Sequence, residues 1–314
     1  MRVCLMVEGQ EDVTWERWVA LAAACEEHGL EGLFRSDHYV SVFGREERGS
    51  LDAWATIMAL AARTERIRLG ALVSPVTFRH PAVLAKTVTA ADHVSGGRVE
   101  LGLGAGWHLR EHQAFGFPFP PEAERMAMLA EQLEVIHGLW SEDPFSFEGR
   151  HFRLVAARGL PRPIQRPHPP IILGGAAGPR SAALAARWAD EYNVVSSSVD
   201  ECRTRREAVA RAWEAEDRDP AMLRFSLMTG CVVGTDRADV RRRAGRVASV
   251  AGEGDAEAFI AEHPQWLIGT VAEVVGGLRQ LEDAEVGRVM LQHLDAEDLE
   301  MVELLGREVA PQVA

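Results

Sequence analysis

Residues 106–115 read GWHLREHQAF, and within them His108, Glu111 and His112 stand in an H-x-x-E-H spacing. Two histidines four residues apart share one face of a helix, where they could ligate zinc with the glutamate between them as a base. Such a centre needs a further carboxylate from a later helix, and no second His, Cys, Asp or Glu cluster follows. The remaining histidines are scattered at 28, 38, 80, 93, 137, 151, 168, 263 and 293, and the H-x-H of barrel metallohydrolases is missing. The proline-rich AFGFPFPP that follows ends any helix quickly. No metal is expected. His108 and His112 then face solvent or an underlying helix, or the segment walls a cofactor pocket.

Two other stretches could do chemistry. Asp37-His38 sets a carboxylate beside an imidazole, the group best suited to acid/base work near neutral pH; the plain alternative is a capping aspartate and an exposed histidine. LGGAAGPRS, at 173–181, could cradle a phosphate, since Gly174 and Gly175 let N–H groups converge and the helix near Arg180 offers its positive end; the alternative is an ordinary strand-to-helix turn. GLGAG at 102–106 is not a dinucleotide fingerprint, because the full G-x-G-x-x-G frame in a first β-α-β unit is absent.

The elements that must carry these residues alternate along the whole chain. RVCLMVE, GLFRSD, IRLGALVSP, VELGLGAG, PPIILGG, EYNVVS, FSLMTGCVVG and GRVMLQ read as eight strands, apolar at consecutive positions as strands buried on both faces are. Helices are expected at 14–28, 51–64, from Pro81 to Gly96, 122–140, 180–189, 199–215, 238–250, 271–281 and 296–309. In the third, Val83, Leu84, Val88, Ala91 and Val94 form the expected buried face. Eight strands, nearly all followed by helices, predict a (β/α)8 TIM barrel, with an open doubly wound sheet as the alternative. One domain over 1–314 is expected, with insertions at about 141–170 and 251–267.

In a barrel the chemistry sits at the carboxyl ends of the strands. Those ends are Glu8-Gly9, Ser36-Asp37-His38, Val73-Ser74-Pro75, Gly104-Ala105-Gly106-Trp107, Gly174-Gly175 and Gln292-His293. Trp107, Phe115, Phe117 and Phe119 suggest an apolar, aromatic mouth; the alternative is that these loop aromatics simply pack.

Of 314 residues, 47% are hydrophobic and 26% charged, a globular balance, and the formal net charge of −13 argues against nucleic-acid or anionic-membrane binding. Cys4, Cys25, Cys202 and Cys231 are far apart and read as buried free thiols. Neither a signal-peptide pattern nor a membrane-length apolar run is seen, so a cytoplasmic protein is expected.

The stretch LGALVSPVTFRHPAVLAKTVTAADHVSGGRVELGLGAGWHLREHQAFGFPFPP resembles the bacterial luciferase-like oxidoreductases, and in particular their coenzyme F420-dependent branch. FRSDH, WSEDPFSFEGRHFRL, RPIQRPHPPIILGGAAGPRSAALAARWADEYN and GTVAEVVGGLRQLEDAEVGRVML match the family's blocks in order over nearly the whole chain. The resemblance implies a (β/α)8 barrel and hydride transfer between a deazaflavin and a small organic substrate. It places Asp37 and His38 beside the ring, with His38 moving or stabilising a proton. It implies a cis peptide behind the ring, aligned to Ala71-Leu72, with Val73 and Ser74 beside the cofactor. Gly104, Ala105, Gly106 and Trp107 would line the ring and the substrate mouth. Gly174, Gly175, Ala176 and Ala177 would bind phosphate through backbone N–H groups, with Arg110 and Arg180 as charge partners. Some deazaflavin relatives carry a carboxylate where Trp107 stands, one that assists sugar-phosphate oxidation, and its absence here argues against that substrate. The resemblance leaves open a reduced-FMN and dioxygen monooxygenase, and a cofactor-free structural or sensing relative. It also suggests a homodimer.

Overall fold

The computed structural model describes residues 1–314. In order, its elements are β1 (Arg2–Val7), α1 (Trp15–Glu27), β2 (Gly32–Arg35), α2 (Ala53–Ala61), β3 (Arg68–Pro75), α3 (Pro81–Ser95), β4 (Val99–Gly104), α4 (Leu109–Phe115), α5 (Glu122–Ser141), β5 (Phe145–Glu148), β6 (Arg153–Ala157), β7 (Ile171–Gly174), α6 (Pro179–Trp188), β8 (Glu191–Val195), α7 (Val199–Ala215), β9 (Arg224–Gly234), α8 (Arg237–Ala251), α9 (Ala256–Glu262), β10 (Leu267–Thr270), α10 (Val271–Asp283), β11 (Arg288–His293) and α11 (Leu299–Leu304).

Local chemistry sets the helix ends. Thr14 caps α1 by accepting from the Arg17 N–H, and Ser198 and Glu201 form a reciprocal capping box on α7. Pro81 opens α3 where its missing N–H costs nothing, and Gly96 closes it in the left-handed region.

Eight parallel strands close into a ring in the order β1, β2, β3, β4, β7, β8, β9, β11, with β1 pairing back to β11. The (β/α)8 barrel expected from the alternation is therefore present, and the open sheet is not. Three features were not legible. A two-stranded antiparallel hairpin, β5–β6, occupies the long connection after α5. A short strand, β10, pairs with the upper half of the long β9. The segment after β4 forms α4, which Gly116 closes in the left-handed region two residues before the first proline. The expected α3 face also needs correcting: Val83 and Val94 are exposed, and Leu84, Ala85, Val88 and Ala91 carry the burial.

The barrel interior is layered. At the amino-terminal end Arg288 lies between the carboxylates of Glu100 (2.7 Å) and Glu191 (3.2 Å), with Arg68 also bound to Glu100. Above this ionic floor Cys4, Met6, Phe34, Leu72, Ile172 and Met290 form an apolar plug. The cavity at the carboxyl rim stands on that plug, since Met6 and Leu72 belong to both. All four cysteines are buried and unpaired.

Candidate active site

Strand ends and the loops after them enclose a cavity of about 1010 Å3 at the carboxyl rim. Of the residues expected there, His38, Leu72, Val73, Gly104, Ala105, Gly106, Trp107, Gly174, Gly175 and Ala176 line it; Asp37, Ala71, Ser74 and Ala177 do not. Glu8, Asn193, Met228 and Gln292 complete the wall from other strands, and Met126 and Leu129 from α5.

His38 follows β2 and faces the cavity. Its Nδ1 lies 2.8 Å from Glu111 Oε1, and the other Glu111 oxygen accepts the Tyr39 N–H at 2.9 Å. Glu111 is fully buried, so this carboxylate is spent on the β2 loop. Burial pulls the His38 pKa down, but the hydrogen bond and charge of Glu111, with the charges of Glu8 and Asp37, outweigh it and leave the imidazole above its ordinary value. Trp107 stands edge-on to the ring at 5.5 Å.

The H-x-x-E-H motif is thus divided among different tasks. His112 directs Nε2 to the Thr77 hydroxyl at 2.6 Å and Nδ1 to the His108 carbonyl at 2.8 Å. Glu111 serves His38 instead of activating water between two ligands. No group of three or more His, Cys, Asp or Glu side chains converges as metal ligands would.

Asp37 sits behind the wall. Its Oδ2 accepts from Ser74 Oγ at 2.7 Å and from Arg79 at 2.5 Å, and Ser74 in turn accepts from Trp54 Nε1 at 2.9 Å. Asp37 and Ser74 therefore brace the ends of β2 and β3 and do not reach into the cavity. The cis peptide lies at Leu72-Val73, one residue beyond the expected Ala71-Leu72, and both of its residues line the cavity. A Cβ on Gly104 or Gly174 would come within 2.7 or 3.0 Å of the Val73 side chain, so those glycines make room for Val73.

At the opposite end the turn after β7 presents donors, though not all those expected. The Gly175 N–H bonds the Asn193 carbonyl at 3.1 Å, and the Ala177 N–H bonds the Tyr192 hydroxyl at 2.8 Å. The N–H groups of Ala176, Gly178, Arg180 and Ser181 have no protein partner, and Gly178 gives α6 no side-chain cap. Arg180 lines the cavity and makes no ion pair, whereas Arg110 is paired with Glu46 and does not line it. Free donors, a helix amino terminus and an unpaired guanidinium suit an anionic tail. The flat, mostly side-chain-poor wall of Gly104, Ala105 and Gly106 suits a ring, so the residues fit a flavin or deazaflavin phosphate.

The aromatic mouth is narrower than expected. Phe115 and Phe117 pack on Tyr39 at 5.2 and 5.6 Å, and Phe119 packs on His112 at 4.4 Å; of the four aromatics only Trp107 borders the cavity. Arg79 and the partner of Glu111 were not legible in the sequence. Glu8 and Gln292 stand there only as strand ends, yet Gln292 Nε2 bonds Glu8 Oε1 at 2.5 Å on the cavity wall. No local sequence signal marks the pairing of Glu111, because its partner His38 lies 73 residues away.

Comparison with known proteins agrees with this architecture. The chain is 37% identical over 183 residues to the F420-dependent glucose-6-phosphate dehydrogenase of Nakamurella multipartita, a match covering 57% of this chain and 52% of that protein. It is 30% identical over 190 residues to the FMNH(2)-dependent dimethylsulfone monooxygenase of Pseudomonas putida, covering 60% of this chain and 50% of that one. The chain thus spans about half the length of these curated relatives. Its fold superposes on the coenzyme F420 dependent tetrahydromethanopterin reductase of Methanopyrus kandleri with a TM-score of 0.82 at 21% identity, over 100% of both chains. A model of the luciferase-like monooxygenases matches residues 3–306, and the chain belongs to that family.

Proposed function

We propose that this protein is an oxidoreductase that holds a deazaflavin of the coenzyme F420 type in the rim cavity and exchanges hydride with a small, uncharged organic molecule. The observation that carries the reading is the polarity of the cavity. One end has His38 with its carboxylate partner, and the other has free backbone donors and Arg180. The F420-dependent relative supports the choice of cofactor.

When bound, the deazaflavin supplies a two-electron hydride acceptor or donor. The free N–H groups of Ala176, Gly178, Arg180 and Ser181, with the Arg180 guanidinium, hold its anionic tail. Gly104, Ala105, Gly106 and Val73 flank the ring. His38 takes at Nε2 the proton released from a substrate hydroxyl, or returns it in the reverse direction. The His38 end has Glu8 and no facing Lys or Arg among the lining residues, which favours a neutral substrate over an anionic one.

A second reading, a reduced-FMN and dioxygen monooxygenase, is favoured by the Pseudomonas relative. Mixing the protein with oxidised F420 and a panel of neutral alcohols distinguishes the two. Loss of the deazaflavin absorbance on mixing supports the first reading. Turnover only with reduced FMN and dioxygen replaces it by the second.

A further inference from the structure

The H-x-x-E-H segment leaves a glutamate whose task the hydride-transfer reading does not assign. Glu111 is fully buried on α4, a helix of seven residues. Its two oxygens meet two adjacent residues of the β2 loop, Nδ1 of His38 at 2.8 Å and the Tyr39 N–H at 2.9 Å. The same helix is pinned to the β3 end, because His112 bonds the Thr77 hydroxyl. Two successive residues of α4 therefore fasten the ends of two neighbouring barrel strands.

We propose that Glu111 is the positioning residue for His38: it accepts the Nδ1–H, fixes the tautomer that leaves Nε2 unprotonated toward the cavity, and stabilises the imidazolium once the proton has moved. This rests on the proposed oxidoreductase chemistry for its purpose, but the geometry is a property of the chain without cofactor. The Nε2 atom bonds no protein group, and His38 lines the cavity, so that nitrogen is the one left for a substrate. A carboxylate behind an imidazole orients the ring and holds its tautomer without itself taking the proton.

The proton balance is simple. In oxidation of an alcohol, the carbon-bound hydrogen passes as hydride to the oxidised deazaflavin, the O–H bond breaks and the C=O bond forms. The proton passes to His38 Nε2, and the charge formed lies next to the Glu111 carboxylate. In the reverse direction the imidazolium gives that proton to the oxygen as hydride arrives at carbon. The charged or titratable groups around the ring are Glu111 from α4, Glu8 from the end of β1, Asp37 from its own loop, already bound by Arg79, and His108, whose ring lies 5.9 Å away. Glu111 alone among them is hydrogen bonded to the imidazole. It also raises the His38 pKa by both hydrogen bond and charge, while burial works against it.

The test reads the apo protein first. Long-range 1H–15N spectra of the wild type should show His38 as the Nδ1–H tautomer, with a titration point above the ordinary imidazole value of about 6.5. The Nε2–H tautomer overturns the proposal with no variant needed. In Glu111→Gln the amide carbonyl can still accept the Tyr39 N–H, but its NH2 group forces Nδ1 to accept. The His38 titration point should then fall, the tautomer should invert, and kcat should drop by about 10²-fold or more with little change in KM. Glu111→Asp, which keeps the charge on a shorter arm, should restore the raised titration in part. In a His38→Gln background, Glu111→Gln should cause no further loss of kcat. An unchanged His38 titration and kcat in Glu111→Gln, or an equal kcat loss in the His38→Gln background, overturns the assignment. Failure of the proposed reaction would show as no hydride transfer in any form, with the tautomer and titration of His38 still answering for Glu111.

Discussion

Arg79 stands 2.5 Å from the buried Oδ2 of Asp37 and reaches Asp52 at 2.7 Å with its other nitrogen, so one guanidinium joins the end of β2 to the start of α2. This pair holds the Asp37 carboxylate in place beside His38. Both side chains are largely out of water, 1% exposed for Asp37 and 13% for Arg79. Removing one partner strands a buried charge and typically costs about 3–5 kcal/mol. Arg79→Met should therefore lower the urea midpoint strongly. Asp37→Asn combined with Arg79→Met should recover part of that loss, because no lone charge remains. Equal midpoints for wild type and Arg79→Met would remove the anchor role.

His38→Ala should keep cofactor affinity near the wild-type value and slow hydride transfer by about 10²–10⁴-fold, the usual worth of a positioned acid/base. Pre-steady-state absorbance with saturating cofactor measures this, and unchanged transfer removes the catalytic role of His38.

The raised His38 pKa fixes the sign of a pH effect. Alcohol oxidation needs the neutral imidazole, so kcat/KM in that direction should fall on the acid side, with a limb above about pH 6.5 that is absent in His38→Ala. For stability the sign is reversed. The charged imidazole gains from Glu111, so its contribution is complete below about pH 6.5 and is lost as pH rises through the folded pKa. Urea midpoints for wild type and His38→Gln between about pH 5 and pH 9 should converge at the alkaline end.

Arg180 should matter for binding through charge. Arg180→Ala should weaken cofactor affinity by about tenfold, the size of a charge-assisted contact, and flatten its dependence on salt. Equal affinity and an equal salt slope would move the tail elsewhere.

The ionic floor sets acid sensitivity. Burial raises the Glu100 pKa, but Arg288 and Arg68 outweigh it and bring it down to about 2. A depressed carboxylate contributes stability above its unfolded value of about 4.3, and that contribution is lost as pH falls toward about 2. Glu191, which burial pushes up, acts in the opposite sense. Urea midpoints taken between about pH 6 and pH 3 should fall more steeply in wild type than in Glu100→Gln.

Much of this architecture was legible in the sequence because parallel strands buried on both faces announce themselves as continuous apolar runs, and RVCLMV and VELGLG are clear cases. Glycines and prolines at strand ends pointed to the rim. The hairpin of Phe145–Glu148 with Arg153–Ala157 was hidden because short half-exposed strands carry little pattern of their own. Val83 and Val94 fit the helical spacing of α3 yet face outward, since periodicity cannot say where a buried stripe ends. Glu111 and His38 were each visible, one as a supposed metal-site base and the other as a proton carrier. Their pairing was not, because barrel closure and the fold of α4, not sequence proximity, bring them together.

The central claim is that the rim cavity is a deazaflavin site, and the most direct measurement is a fluorescence titration of oxidised F420 with the purified protein. The account predicts saturable quenching at one cofactor per chain, undiminished by equimolar FMN and weakened in Arg180→Ala. Absence of quenching, or its abolition by FMN that itself binds, would contradict it.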